Sequence, residues 1–171
     1  MRLKGKTLKA LLGSSIAYFG DFVELSAGGE DFASTFGVGG VVGTNFAWPG
    51  APGKKDLKLL LTPEREKKWA FWVKLYQQKR LSEGEYLGAL YDIGFDRPEA
   101  HAIRKGETLY YAFFADRFRG KVELRGLDDR RYRIRDYETG RDFGSVNGPG
   151  ARLDAAFQRH LLLEAVPDQQ Q

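Results

Sequence analysis

The apolar positions of this chain keep three rhythms. In LKGKTLKALL, residues 3–12, Leu3, Leu8, Leu11 and Leu12 recur at near-helical spacing, and Gly13 stands as a stop. In IAYFGDFVEL, residues 16–25, the apolar run is nearly continuous, and residues 38–48 repeat that texture with glycines set into it. Such runs suit parallel strands covered on both faces, with glycine where backbones approach closely. The helical period returns in LTPEREKKWAFWVKLYQQKRLSEG. There Thr62 is the expected N-cap, Pro63 fits the first helical position, and Glu64 and Glu66 suit the positive end of the dipole. Trp69, Trp72, Val73 and Tyr76 make one apolar stripe, read as core packing, and Gly84 is the expected end.

From Tyr86 the period becomes two. ETLYYAFFA, KVELRGL, RYRIRDY, RDFGSV, ARLDAAF and HLLLEAV read as separate short strands, with Lys105-Gly106 and Thr139-Gly140 as hairpin turns. Short strands at this spacing predict an antiparallel sandwich. The expected fold class is therefore α+β, with a composition break near residue 85. Two parallel strands with one or two helices do not make a stable layer by themselves, so the N-terminal part reads as an incomplete α/β arrangement.

Composition narrows the chemistry. With no cysteine in 171 residues, disulfides, thiolate nucleophiles and thiolate metal sites are excluded, which fits a cytoplasmic location. Two histidines, His101 and His160, are too few for a histidine-rich metal site, and no cofactor is expected. The net charge of +4 is spread through stretches of mixed sign such as RFRGKVELRGLDDRRYRIRDYE. A nucleic-acid binder concentrates positive charge, so no nucleic-acid partner is expected. The start carries Arg2, Lys4, Lys6 and Lys9 before an apolar stretch, but Gly13, Ser14, Ser15 and Gly20 interrupt it and argue against a signal peptide. No run approaches the ~20 apolar residues that span a bilayer, so no membrane partner is expected.

Most candidate motifs fail on context. FGVGGVVGT contains a GxGGxxG pattern but opens no helix and carries no Gly-Lys-Ser/Thr, so neither the dinucleotide fingerprint nor the P-loop is met. Asp21 and Glu24 sit an odd number of residues apart, hence on opposite faces of one strand, and do not make a glycosidase pair without a bulge. Asp92 and Asp96 read as turn formers. His101 and His160 lack a nucleophile-elbow motif and read as structural or surface residues. The aromatic cluster of Trp48, Phe46, Tyr18, Phe19 and Phe22 suits either a sugar face or the next helix.

YFGDFVEL, DFASTFGVGGVVGTNFAWPG, the Trp-rich helix and YDIGFDRPEAHAIRKGETLYYAFFADRFRGKVELRGLDDRRYRIRDYETGRDFGSV together resemble the C-terminal portion of bacterial α-galactosidases. These are melibiase-type retaining glycoside hydrolases with a (β/α)8 barrel and a C-terminal β-sandwich. The resemblance implies that residues 1–85 are the last two βα units of such a barrel and residues 86–171 the all-β antiparallel sandwich. It implies an α-galactoside substrate, with Asp21, Thr44 and Trp48 near the sugar. The family's nucleophile and acid/base are aspartates on barrel strands that have no counterpart here, so the chain alone is expected to be inactive. Many relatives carry GDH where this chain has Gly20-Asp21-Phe22. Activity would then need a chain supplying the remaining strands, and the exposed remnant is expected to form a homo-oligomer or a sticky monomer. The alternative is a non-catalytic carbohydrate-binding or structural β-sandwich module.

Overall fold

Residues 2–19, 30–43 and 60–168 are described by a computed structural model. Helix α1, Arg2–Leu12, falls where the leucine spacing predicts it. Helix α2, Glu30–Phe36, was not foreseen; it buries Phe32, Ala33 and Phe36 completely. Helix α3, Pro63–Lys79, starts as its sequence dictates, with the Thr62 hydroxyl accepting the Arg65 N–H. It ends earlier than Gly84. Arg80 turns left-handed at φ 48° and donates its N–H to the Tyr76 carbonyl, and a short 3₁₀ turn, Leu81–Glu83, follows. The Lys105 ammonium caps the freed Lys79 carbonyl at 2.8 Å, a partner 26 residues away that no local pattern signals.

The strands form one sheet. Strand β1 is Glu85–Tyr86, β2 Glu99–Lys105, β3 Thr108–Leu124, β4 Arg131–Asp136, β5 Asp142–Asn147 and β6 Ala151–Pro167. Their order is β1-β2-β3-β6-β4-β5, and every pairing is antiparallel. Both expected turns occur, with Gly106 at φ 59° and Gly140 at φ 77°. Asp136 fixes the second turn by accepting the Glu138 and Thr139 N–H groups.

The expectation of separate short strands is corrected at two places. ETLYYAFFA and KVELRGL are the two halves of β3, and ARLDAAF and HLLLEAV are the two halves of β6. The polar interruptions between them are not turns. They are a β-bulge between Ala115 and Arg117, opposite Arg159 at φ 70°. The bulge lets the strand double back. The Tyr111 hydroxyl donates to the Arg125 carbonyl at 2.8 Å, although fourteen residues of straight strand would span roughly 46 Å. The two layers are thus halves of a single folded sheet.

Each face of that sheet is covered. Leu109, Tyr111, Phe113, Val122, Leu124, Tyr132 and Ile134 meet inside the fold. The alternate positions, Ile103, Ala112, Phe114 and Leu162, face outward and are covered by Phe32 and Phe36 of α2 and Trp72 and Leu75 of α3. The Trp stripe is therefore core, although Leu75 is buried where Val73 was expected.

The predicted pair of parallel strands is reduced, among the described residues, to one parallel bridge, Tyr18 with Gly40, in which the Val41 N–H donates to the Tyr18 carbonyl at 2.8 Å. Residues 20–25 of the first segment and 44–48 of the second lie outside the described residues.

Candidate functional site

The three substrate-contact candidates, Asp21, Thr44 and Trp48, lie outside the described residues, as do Glu24, Phe22 and Phe46. Between the two segments the structure describes one parallel bridge, Tyr18 with Gly40. Asp21 follows Tyr18 by three residues in sequence, and Thr44 follows Gly40 by four.

The described glycines of the run pack closely. A Cβ on Gly37 would stand 2.5 Å from the Ala112 Cβ of β3, and one on Gly40 would stand 2.9 Å from the Thr35 side chain. Close backbone approach is what glycine permits there. Beside it, three buried polar atoms have no hydrogen-bond partner: Lys9 Nζ, the Tyr18 hydroxyl and the Thr35 hydroxyl. Burial holds the Lys9 amine below its usual value and pushes the Tyr18 phenol up to about 12, because it disfavours the charged form of each. Unpaired buried polar groups are costly, and their convergence marks this as a strained corner of the fold.

A second buried network ties α1 to the sheet. The Arg2 guanidinium donates to both carboxylate oxygens of Glu99, at 2.7 and 3.0 Å, and lies 4.2 Å from the centre of the Phe114 ring. Glu99 also meets His101 Nε2 at 2.9 Å, and His101 Nδ1 meets the Tyr86 hydroxyl at 2.7 Å. Burial opposes the charge on Glu99, but the hydrogen bonds from His101 and Arg2 outweigh it and bring the carboxyl down to about 2. Burial lowers His101, against the pull of Glu99. A neutral ring that donates from Nε2 and accepts at Nδ1 satisfies the whole chain of bonds. His160 pairs with Glu138 at 2.7 Å and meets Trp72 edge-on. Both histidines are structural, as their sequence context implies.

Asp92 and Asp96 close a turn, with the Asp96 N–H donating to the Asp92 carbonyl at 3.0 Å and the Asp92 N–H to the Asp96 carboxylate at 2.7 Å. No cluster of three or more His, Asp or Glu able to hold a metal occurs among the described residues, and no described helix is long and apolar enough to cross a membrane.

No family model matches the chain. It is 32% identical over 137 residues to an A type blood α-D-galactosamine galactosaminidase of Flavonifractor plautii, a match covering 71% of this chain and 12% of that protein. The chain thus spans about an eighth of the length of this curated relative. Among solved structures, the GH27 β-L-arabinopyranosidase of Geobacillus stearothermophilus superposes with TM-score 0.50 at 12% identity, over 81% of this chain and 30% of that one. An α-amylase of Anoxybacillus superposes with TM-score 0.51 at 10% identity, over 83% and 32%. Enzymes with such different activities share the fold, so the fold does not choose the substrate. By sequence the chain is related to an α-D-galactosamine galactosaminidase, and its sheet-rich fold is one it shares with glycoside hydrolases.

Proposed function

We propose that this chain is the C-terminal part of an α-galactosidase, with residues 1–85 as the last two βα units of its barrel and residues 86–171 as its sandwich. In the complete enzyme, a terminal α-galactoside is cleaved by double displacement through a covalent galactosyl-enzyme. Asp21, Thr44 and Trp48 contact the sugar, and the two catalytic aspartates come from strands outside this chain. By itself the chain is inactive.

The observation that carries this reading is the parallel Tyr18–Gly40 bridge. Among the described residues near it in the chain, Leu3, Leu11 and Leu12 of α1 and Ile16 are each between 45% and 76% exposed. Large apolar side chains exposed in this number fit further barrel elements packing on them. The sequence match to a galactosaminidase supports the substrate class, an α-linked galactose or galactosamine unit.

The test is reconstitution. The chain is mixed with a polypeptide carrying the first six strands of a related barrel, and hydrolysis of an aryl α-galactoside is followed. Activity that appears on mixing and falls at least about tenfold in Asp21→Ala or Trp48→Ala supports the reading. Unchanged kcat/KM in those variants of a complete enzyme refutes the site assignment.

A further inference from the structure

We propose that the folded sheet carries a saccharide site of its own, in the cavity beside the Asp92–Asp96 turn, where one sugar ring stacks on Phe95 and hydrogen-bonds to Asp96, Glu123 and Arg125. The sugar as ligand class rests on the glycoside-hydrolase reading above. The site itself stands on the geometry of the sheet and shares no residue with Asp21, Thr44 and Trp48.

The cavity exists because β3 doubles back. It measures about 210 Å³ and takes Phe113 from the first half of β3 and Val122 and Glu123 from the second. That volume is below the ~300 Å³ at which drug-sized pockets begin, so it suits a single ring or part of one, not an oligosaccharide.

Its polar wall is built in advance. Tyr91 accepts the Arg125 N–H at 2.9 Å and donates its hydroxyl to the Glu123 carbonyl at 2.6 Å. The Arg125 guanidinium lies 5.0 Å from the centre of the Tyr91 ring. From there it donates to both oxygens of Asp96, at 2.9 and 3.2 Å, to Glu123 at 2.8 Å, and to the Leu90 carbonyl at 2.8 Å. Two carboxylates are thereby fixed side by side with lone pairs unspent, since each carboxylate accepts about four hydrogen bonds. Arg97 and Lys121 line the same cavity and add donors. A sugar hydroxyl both donates and accepts, which is what a wall of mixed donors and acceptors requires. Four cations, Arg97, Lys121, Arg125 and Arg152, stand against two carboxylates, Asp96 and Glu123, so an acidic sugar is favoured over a neutral one.

Phe95 supplies the apolar half. It is 88% exposed, more than any other large apolar side chain among the described residues. It buries almost nothing and so contributes little to the fold. Yet the turn that presents it is rigid, closed by the Asp92–Asp96 bonds and anchored through Asp96 to Arg125. Its chain neighbours Asp96 and Arg97 are cavity walls. An aromatic ring held in water on a fixed turn, one residue before the cavity-wall residue Asp96, is a stacking platform at low entropic cost.

The test is saturation-transfer NMR on the full chain, with D-galactose and D-galacturonate as probes. Expected are transfer to the ring protons of both, tighter binding of galacturonate, and weakening of both by about fivefold in Phe95→Ala at unchanged Tm. Lys121→Ala should weaken galacturonate selectively. Trp48→Ala separates this site from the proposed substrate site. A signal kept in Trp48→Ala and lost in Phe95→Ala supports the sheet site even if reconstitution fails. A signal lost in Trp48→Ala and kept in Phe95→Ala overturns it while leaving the barrel reading intact. No transfer to either sugar at millimolar concentration also overturns it.

Discussion

Gly5 sits within α1, where alanine ordinarily stabilises a helix by about 0.5–1 kcal/mol over glycine. Here the sign should reverse. A Cβ at Gly5 would run into the Tyr18 hydroxyl and come within 2.8 Å of Val38. Gly5→Ala is expected to destabilise by about 1–3 kcal/mol, as overpacking does, measured by urea unfolding. A gain in stability would show that α1 is not seated against this corner. Glu99 and His101 set the response to acid. The Glu99 carboxyl lies near 2 when folded, below its unfolded value, so its contribution is complete above about 4.3 and is lost as pH falls toward 2. His101 is also depressed, because burial disfavours the imidazolium, so its contribution is complete above about 6.5 and is lost as pH falls below that. Both slopes therefore have the same sign. Tm should decline first below about pH 6.5 and again below about pH 4.3, with His101→Gln abolishing the upper step and Glu99→Gln the lower. A pH-independent Tm from 7 to 5 in the unmodified chain would refute the histidine assignment.

Among the elements, α3 is the clasp between the helical part and the sheet. Trp72 stacks parallel to Phe32 of α2 at 5.9 Å and meets Phe36 and His160 at steeper angles. At the far end, Lys79 pairs with Glu164 of β6 and reaches toward the rings of Tyr110 and Tyr137. Trp72→Ala removes a 2%-exposed side chain from three partners at once and is expected to cost about 3–5 kcal/mol. Because the inner core of the folded sheet does not include Trp72, this loss should fall on the helices first. Hydrogen exchange should then show early opening of α2 and α3 with β3 and β6 still protected. Simultaneous loss of protection everywhere would mean that the two cores form one cooperative unit.

At the scale of the whole molecule, the exposed leucines of α1, with Ile16, make the chain prone to associate. Sizing chromatography is expected to show a concentration-dependent shift to larger species, and Leu11→Asp with Leu12→Asp should suppress it. A sharp monomer peak at high concentration in the unaltered chain would count against this expectation. Salt should leave the association largely unchanged, since the patch is apolar.

Local patterns were enough for α1, for the start of α3 and for both hairpin turns, because leucine spacing, Thr62-Pro63 and the two glycines act within a few residues. The same is true of the period-two alternation after residue 86, which fixed which side chains share a face. The early end of α3 was not legible, because the cap on its carbonyls comes from Lys105 across the fold. Nor was the joining of four expected strands into β3 and β6. A bulge and a turn look alike in sequence, since both interrupt an apolar alternation with polar residues, and only pairing with a partner strand distinguishes them. The Arg2–Glu99 pair, 97 residues apart, depends on α1 packing against the sheet, and the cavity beside the Asp92–Asp96 turn depends on β3 folding back on itself. The sequence alone determined α1, the start of α3, the antiparallel character of the part after residue 86 and the kinship with glycoside hydrolases. The tertiary structure decided which strands continue, which charges meet and where a cavity opens, because those follow from contacts between distant residues that no local spacing encodes.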